Sequence, residues 1–355
     1  MESAKIQSDV QLASGIGSKT GFTIAANANI FDILSNKMYE RPIEAIVREI
    51  YSNAIDANIK AKKTGGLEVD LPTDQNPILR ITDHGVGMDE DMVAEVFTQY
   101  GNSTKNADNS QIGGFGIGGK TPFAYTDQFT ISSAYNGVET SYAAVREDTG
   151  PSLIKISSQD VDYSGTTVTV PVKLSDIDEF LDAAVKVLLF ALEFPTISET
   201  SQAVFETAVR SNGWNSLDDY LETRKQIAAG NLTVDLKGLH SRIGSVAAVI
   251  GGVVYTIDES RLNGFEDFIE KKTLLLNIPV GALSVQASRE KLNYDEGTVK
   301  LLNEYFKGAV VKLYQELSAT LANKKLTCLE KWRLLTDYSV HAFDNLIHAL
   351  SSSAA

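Results

Sequence analysis

Cysteine and positive charge are both scarce in this sequence. Its 355 residues include one cysteine, Cys328, so no intrachain disulfide can form and no cysteine cluster can bind zinc or an iron–sulfur centre. The 46 acidic residues outnumber the 32 basic ones, and the net charge of -14 repels phosphate backbones. The composition therefore predicts no general nucleic-acid binding.

Membrane-spanning and secretory signals are also missing. The longest apolar stretch, near residues 246–255, is too short and too interrupted by glycine for a membrane span, which needs about 20 apolar residues. The first residues contain no basic segment followed by an apolar one, as a secretory signal would. We therefore expect a cytoplasmic protein without a transmembrane segment, with peripheral membrane association left open.

The order of helix and strand patterns predicts an α+β protein of two or three domains. Pro42, a favoured first-turn residue, marks the start of a helix that runs toward Ala61. Strand patterns lie at residues 78–82, 129–133, 141–145, 153–157 and 166–172, and helical periodicity returns at 175–192. We expect a first domain over residues 1–194, a second αβ domain over 195–296 and a helical segment over 297–355.

The predicted helix carries three polar side chains on one face. Glu49, Asn53 and Asp56 stand at i, i+4 and i+7, within roughly 60° of arc. Two carboxylates and an amide on one face can hold a metal, a water molecule and a nucleotide. An ordinary amphipathic helix with a solvated polar face would have the same spacing, so both interpretations stay open.

A glycine-containing turn follows the first predicted strand, with the sequence D-H-G-V-G-M at residues 83–88. Asp83, at the strand end, can accept a hydrogen bond from an exocyclic amine. Gly85 and Gly87 allow the backbone before Met88 to approach a ligand closely. A solvated Asp–Gly turn is the alternative interpretation.

A second glycine-rich segment, G-G-F-G-I-G-G-K-T at residues 113–121, ends a long polar loop. Its backbone N–H groups suit a phosphate at the start of a helix. Loops of this length are uncommon inside compact domains and are often lids, so we expect a lid over residues 97–120. A glycine hinge that binds no ligand is the alternative.

Residues 114–121 also fit the P-loop pattern G-x-x-x-x-G-K-[ST]. That pattern requires a buried strand before it, and residues 102–110 are too polar to form one. No apolar run ending in aspartate follows to supply a second metal-binding carboxylate. The context therefore argues against a P-loop.

The order and spacing of these motifs resemble the ATP pocket of the Bergerat (GHKL) family, which includes Hsp90, DNA gyrase B, MutL and histidine kinases. E-x-x-x-N-A-x-D-A, D-x-G-x-G-M, the glycine loop and Gly165-Thr166 follow one another over residues 43–170. The resemblance implies that the first domain is a Bergerat ATP-binding sandwich, with ATP and Mg²⁺ as cofactors and ADP as product.

The resemblance also implies a role for each matching residue. Glu49 corresponds to the general base that orients the attacking water, Asn53 to the Mg²⁺ ligand, and Asp83 to the acceptor for the adenine amine. The further positions implied near the base, ribose or phosphates are Asp56, Gly85, Gly87, Met88, Gly114, Gly116, Gly118, Gly119, Lys120 and Thr166.

A second resemblance lies far downstream. L-S-V-Q-A-S-R-E-K-L at residues 283–292 looks like the Hsp90 middle-domain catalytic loop, in which an arginine reaches the γ-phosphate. Arg289 is the matching residue, and its role would be that of an arginine finger. We expect domain motion to deliver Arg289 and lid closure to make turnover slow. A surface Arg–Glu pair is the alternative.

Three stretches, at residues 17–34, 112–127 and 287–290, are similar to the rIIA lysis-inhibition proteins of T4-like phages, which are usually longer. This resemblance implies a phage protein in the host cytoplasm that acts in lysis inhibition or against host defence. Its phage or host protein partner is unknown. GHKL relatives commonly close as dimers, so a homodimer is expected in the ATP state.

Two functions therefore follow from the sequence. One is a slow ATPase that converts ATP to ADP and phosphate. The other is an ATP-gated interaction or chaperone-like module with little or no hydrolysis, in which binding shifts an open–closed equilibrium. A histidine kinase is a weaker third possibility, because no phospho-acceptor helix precedes the pocket and His84 lies inside the adenine motif.

Overall fold

The computed structural model describes residues 37–63, 65–98, 118–147, 150–263, 272–323 and 325–335. Gly114, Gly116 and most of the predicted lid lie outside these residues. The helices are α1 (Pro42–Lys60), α2 (Glu90–Thr98), α3 (Ile177–Phe190), α4 (Glu199–Ser211), α5 (Leu217–Ala228), α6 (His240–Ile243), α7 (Glu296–Ala322) and α8 (Cys328–Leu335), with short 3₁₀ helices at Gly118–Ala124, Leu174–Asp176, Lys237–Leu239 and Glu259–Arg261.

The strands form two sheets. They are β1 (Glu68–Asp70), β2 (Ile78–Asp83), β3 (Gln128–Tyr135), β4 (Val138–Glu147), β5 (Gly150–Asp160), β6 (Gly165–Pro171), β7 (Thr196–Ile197), β8 (Thr233–Val234), β9 (Val246–Ile250), β10 (Val253–Thr256) and β11 (Thr273–Ile278). The first sheet has the order β5-β4-β3-β6-β2-β1-β7, and the second has the order β10-β9-β11-β8. This mixture of sheets and helices confirms the predicted α+β class.

The first sheet is antiparallel except where β7 pairs in parallel with β1. Helix α1 packs against β2, β6 and helix α3. Strand β2 shows the alternation that such packing requires, since Leu79, Ile81 and Asp83 are buried while the residues between them are partly exposed. The same alternation that buries two apolar side chains carries the Asp83 carboxylate into the interior.

Helix α1 begins where the sequence predicts, with Pro42 in its first turn. Its apolar residues Ile46, Val47 and Ile50 are buried in the core of the first sheet. Two charged neighbours, Arg48 and Glu49, are also buried. Charged residues are rarely buried unless they are paired, so this helix must meet ionic partners from another part of the chain.

Helices α4 and α5 follow residue 195 and extend the core around α3. Phe205 of α4 and Tyr220 of α5 belong to the same apolar cluster as α1 and α3, and their rings meet edge to face at 5.7 Å. Strand β7 also joins the first sheet through β1. The division of the chain at residue 194 remains a prediction.

The second sheet is buried on both faces: Ala247, Val249 and Leu275 belong to the apolar cluster of the first sheet, and α7 packs into a second cluster on the other face. Leu302, Phe306 and Leu313 of α7 lie in a cluster with buried residues of β9 and β11. The helix starts as its sequence suggests, because the Asp295 side chain accepts a hydrogen bond from the Thr298 N–H at 2.7 Å. Between β11 and α7, residues 284–293 form a hairpin that contacts helix α1.

Candidate active site

A cavity of about 1150 Å³ lies beside helix α1. Ligand pockets commonly measure about 300–1,000 Å³, so this cavity is large enough for a nucleotide-sized molecule. Its lining includes ten of the residues selected from the sequence: Glu49, Asn53, Asp56, Asp83, Gly87, Met88, Gly118, Gly119, Thr166 and Arg289. Gly85 and Lys120 are not among the lining residues, and Gly114 and Gly116 lie outside the residues that the structure describes.

The polar face of α1 borders this cavity. Glu49 is buried, with 4% of its surface exposed, and Asn53 and Asp56 are half-buried. Ile50 and Ala54 of the same helix also line the cavity, which gives the wall an apolar part. The burial of Glu49 argues against the solvated amphipathic face that the spacing alone left open.

Asp83 enters the cavity from the end of β2. Its Oδ1 accepts hydrogen bonds from the N–H groups of Gly85 at 2.8 Å and Thr166 at 3.3 Å. Both bonds use one oxygen, which leaves Oδ2 for a donor in the cavity. Burial raises the pKa of Asp83 to about 6, although these two N–H groups oppose the increase. The carboxylate is therefore mostly ionised at neutral pH and can accept an amine hydrogen.

The glycines after Asp83 are required by close backbone approaches. Gly87 has φ +72°, and a Cβ there would lie 1.9 Å from the Ala134 carbonyl oxygen. A Cβ on Gly85 would lie 2.9 Å from Asp83 Oδ1, so this glycine allows the turn to fold over the carboxylate. The segment is thus a tightly packed wall, in contrast to the solvated turn considered as an alternative.

The end of the glycine-rich segment covers the catalytic candidates of α1. A Cβ on Gly118 would lie 2.9 Å from Glu49 Oε2 and 3.3 Å from Asn53 Nδ2. Residues Gly118–Ala124 form a 3₁₀ helix, which differs from the α-helix that follows a P-loop. Within it Lys120 is 1% exposed, and burial lowers the pKa of its ammonium to about 8.

Arg289 reaches Glu49 from the hairpin at residues 284–293. Its Nη1 donates to Glu49 Oε2 at 3.0 Å, across 240 residues of sequence. The other carboxylate oxygen, Oε1, accepts from Arg48 Nε at 3.1 Å. All three side chains are buried, with exposures of 5–6%. The partner of Arg289 is therefore a buried carboxylate of α1, which argues against a surface pair with its neighbour.

The two arginines keep Glu49 ionised. Burial by itself raises the pKa of the Glu49 carboxyl, but Arg289 and then Arg48 outweigh burial and hold that pKa below its usual value of 4.5. For the Arg289 guanidinium, burial lowers the pKa, whereas the Glu49 carboxylate and the Tyr255 phenol raise it, and the net shift is upward. Both groups therefore carry full charge at neutral pH.

Arg289 occupies an unusual backbone conformation. The hairpin closes through a Val285–Leu292 bridge and a bond from the Gln286 N–H to the Lys291 carbonyl at 3.0 Å. At its tip Arg289 has φ +56°, in the left-handed region that favours glycine or asparagine. A non-glycine residue pays roughly 1–2 kcal/mol for this conformation. The guanidinium contact with Glu49 is thus made by a residue under local strain.

Sequence reasoning missed Arg48. Its Nη2 donates to the Ser288 carbonyl oxygen at 2.8 Å, so it binds both Glu49 and the loop that carries Arg289. The helical spacing argument selected residues on the face of Glu49, and Arg48 lies about 100° away from that face. The sequence did contain one signal for Arg48, because it is a charged residue close to the apolar residues of the same helix turn.

Comparisons with known proteins agree with this geometry. A family profile described as "Histidine kinase-, DNA gyrase B-, and HSP90-like ATPase" matches residues 38–176. The chain is similar to chaperone protein HtpG of Vesicomyosocius okutanii, at 30% identity over 43% of this chain and 27% of that protein. It is 30% identical to HtpG of Rickettsia bellii (strain RML369-C), over 44% of this chain and 28% of the relative.

A eukaryotic relative matches a longer stretch. The endoplasmin homolog of Dictyostelium discoideum is 27% identical over 50% of this chain and 26% of its own length. The chain thus spans about a quarter of the length of the curated relatives it matches. In the described part of the chain, no helix is both long enough and apolar enough to cross a membrane. Residues 38–176 thus match the histidine kinase-, DNA gyrase B- and HSP90-like ATPase family, and the mixed sheet and helices of this region are consistent with the Bergerat fold.

Proposed function

We propose that this protein is a slow, Mg²⁺-dependent ATPase that hydrolyses ATP to ADP and phosphate. The observation that supports this most strongly is the meeting of Arg289 with Glu49 at the wall of the cavity. A carboxylate that can orient water and a guanidinium that can bind phosphate oxygens come from two parts of the chain. A site for nucleotide binding alone does not require this pair.

The cavity residues fit ATP at both ends. Asp83 Oδ2 offers an acceptor for the adenine amine, and the glycine turn beside it permits close packing of the base. At the other end Gly118 presents backbone next to Glu49 and Asn53, where a side chain would fill the space. The guanidinium of Arg289 lies at the same end and suits phosphate oxygens.

The donor set also fits Mg²⁺. The ion usually retains several waters and takes one or two protein ligands together with substrate phosphates. Asn53 would provide an amide oxygen, and bound Mg²⁺ would neutralise charge on the transferred phosphoryl group. Among the described residues there is no group of three or more histidine, cysteine, aspartate and glutamate side chains that could hold a metal ion.

In this proposal Glu49 accepts a hydrogen bond from the attacking water and orients it. Its low pKa makes the carboxylate a weak base while Arg289 and Arg48 hold it. When phosphate oxygens draw Arg289 away from Glu49, the pKa of the carboxyl rises and its ability to accept a proton increases. Turnover is slow because lid closure and this exchange of partners both precede the chemical step.

Phosphate release under single-turnover conditions tests this function. The wild-type protein with ATP and Mg²⁺ should release phosphate, and Glu49→Gln should bind ATP but turn over about 10²–10⁴-fold more slowly. EDTA should stop hydrolysis in the wild type. Equal rates in the wild type and the variant would refute the role of Glu49.

An ATP-gated interaction or chaperone-like module with little hydrolysis is the second candidate. Its support is the similarity to proteins named chaperones and the engagement of both Glu49 oxygens by arginines. Under this function ATP binding changes the conformation of the protein, but single-turnover phosphate release stays at the rate of the Glu49→Gln variant.

The biological setting is a further part of the proposal. Based on the resemblance to rIIA proteins, we place the protein in the host-cell cytoplasm, acting in lysis inhibition or against host defence through a phage or host partner. Capture of partners from infected cells with ATP-trapped protein tests this setting.

A homodimer in the ATP state is tested by light scattering with a non-hydrolysable ATP analogue. A monomer at tens of micromolar, with and without the analogue, would contradict the dimer.

A further inference from the structure

The carboxylate of Glu290 binds the backbone at the start of helix α1. Its Oε2 accepts from the Glu40 N–H at 2.9 Å, and its Oε1 accepts from the Arg41 N–H at 2.8 Å. The two contacts join residues that are 249 and 250 positions apart in sequence. Both carboxylate oxygens of Glu290 are therefore committed to the segment immediately before Pro42.

Helix α1 has no side-chain cap of its own. Its N-cap residue, Arg41, makes no side-chain capping hydrogen bond, and Pro42 has no N–H to donate. The unpaired N–H groups give a helix start a partial positive charge, which favours a nearby carboxylate. Glu290 supplies that carboxylate from the hairpin at residues 284–293, so the start of α1 is linked to the 287–290 loop.

The same loop binds α1 a second time, two turns farther along. Ser288 accepts from Arg48 through its carbonyl oxygen, and Arg289 donates to Glu49. From residue 41 to residue 49 the helix rises about 12 Å. Three successive loop residues, Ser288, Arg289 and Glu290, therefore contact α1 at two separated points, which fixes the direction of the loop as well as its distance from the helix.

We propose that Glu290 is a positioning residue that sets Arg289 against the phosphate end of the cavity by anchoring its loop to the N-terminus of α1. This inference rests on the proposed ATPase function. Glu290 is not among the residues that line the cavity, and its side-chain hydrogen bonds go to the backbone of Glu40 and Arg41, so we expect its effect on turnover to pass through Arg289. The anchor also ties α1, which carries Glu49, Asn53 and Asp56, to the same loop.

A neighbouring ion pair provides a matched control. Lys291 Nζ lies 2.5 Å from Glu40 Oε1, and both side chains are more than half exposed. Exposed pairs of this kind contribute little to stability. Lys291→Ala removes a charge from the same loop and the same contact region but leaves the two backbone hydrogen bonds of Glu290 intact.

The test compares Glu290→Ala, Glu290→Gln, Lys291→Ala, Arg289→Ala and the Arg289→Ala/Glu290→Ala double variant. ATP and ADP affinities are measured by calorimetry, and single-turnover phosphate release and thermal unfolding are measured for each protein. Glu290→Ala should reduce the ATP/ADP affinity ratio and the turnover rate by about tenfold, which corresponds to about 1.4 kcal/mol, with ADP affinity unchanged. Glu290→Gln keeps one acceptor oxygen and should recover part of both losses.

The double variant separates positioning from simple stabilisation. If Glu290 acts through Arg289, the double variant should turn over no more slowly than Arg289→Ala alone. The proposal would be overturned if the turnover losses of the two single variants multiplied in the double variant. It would also be overturned if Glu290→Ala lost thermal stability but kept the wild-type ATP/ADP affinity ratio and turnover rate. If Glu290→Ala does not fold, the affinity ratio, turnover rate and thermal stability of Glu290→Gln are compared with those of the wild type instead. Absence of ATP binding and hydrolysis in the wild type would refute the ATPase function itself.

Discussion

Replacing Arg289 tests the most unusual feature of the site, a buried arginine held in a left-handed backbone conformation. Three substitutions separate its contributions. Arg289→Ala removes the guanidinium but keeps a Cβ at φ +56°. Arg289→Gly removes both the guanidinium and the Cβ, and Arg289→Lys keeps a positive charge without the planar fork of donors.

The structure sets the expected cost in folding stability. Breaking a buried ion pair typically costs about 3–5 kcal/mol. Arg48 still binds one oxygen of Glu49, so Arg289→Ala should lose about 3 kcal/mol, the lower end of that range. Glycine adopts the left-handed conformation without strain, so Arg289→Gly should be more stable than Arg289→Ala by about 1 kcal/mol.

Ligand binding should follow a different order from stability. ADP lacks the γ-phosphate, so its affinity should change little in any of the three variants. Loss of a charged hydrogen bond typically costs about 1.5–3 kcal/mol, so alanine and glycine should both lower ATP affinity about tenfold or more. Lysine should recover part of that loss. All three variants should slow single-turnover phosphate release.

Denaturant unfolding measures stability, and calorimetry with ADP and a non-hydrolysable ATP analogue measures binding. Arg242→Ala is the control, because Arg242 pairs with Asp182 at 3.3 Å in an exposed position. It should change neither stability nor binding appreciably. Equal losses of ATP and ADP affinity would assign Arg289 a folding role, and unchanged ATP affinity would exclude a phosphate contact. Equal stability of the alanine and glycine variants would refute the backbone strain.

Three further predictions concern the rest of the cavity. Asp83→Asn should abolish ADP binding in calorimetry, since an amide N–H turned toward the adenine amine would meet another donor; unchanged affinity would remove Asp83 from the adenine site. Burial raises the pKa of the Asp83 carboxyl from 3.8 to about 6, so its protonated form should stabilise the fold fully below pH 3.8, and this stabilisation should be lost as the pH rises to about 6. The free energy of unfolding of Asp83→Asn, measured against pH, should lack this loss. Gly118→Ala should impair turnover because its added Cβ would displace Glu49 and Asn53. Gly308→Ala is the control: no atom lies within 4 Å of its added Cβ, so this variant should preserve turnover and stabilise helix α7. Normal turnover of Gly118→Ala would contradict the close approach of Gly118 to Glu49 and Asn53.

Local patterns in the sequence were sufficient to predict the part of the cavity wall that α1 and the end of β2 form. The start of α1 follows from Pro42, and helical spacing places Glu49, Asn53 and Asp56 on one side of it. Alternation in β2 places Asp83 inside, because residues two apart share a face of a strand. These features depend on residues that are close together in the sequence, so their periodicity is visible before the tertiary structure is known.

The short strands and the parallel pairs could not be read in this way. Strand β1 has three residues and β7 has two, so neither contains enough alternation to be recognised. Each forms because a distant partner supplies its hydrogen bonds. The parallel pairing of β9 with β11 likewise joins two strands that are not consecutive in the chain, since β10 lies between them.

The tertiary structure alone decided what surrounds Glu49. Resemblance in the sequence indicated Arg289, but the partner of its guanidinium, the bridging position of Arg48 and the anchoring contacts of Glu290 are all visible only after folding. An ion pair between residues 240 apart leaves no periodic trace in the sequence. Its strength depends on burial and on the other charges around it, which no local pattern encodes.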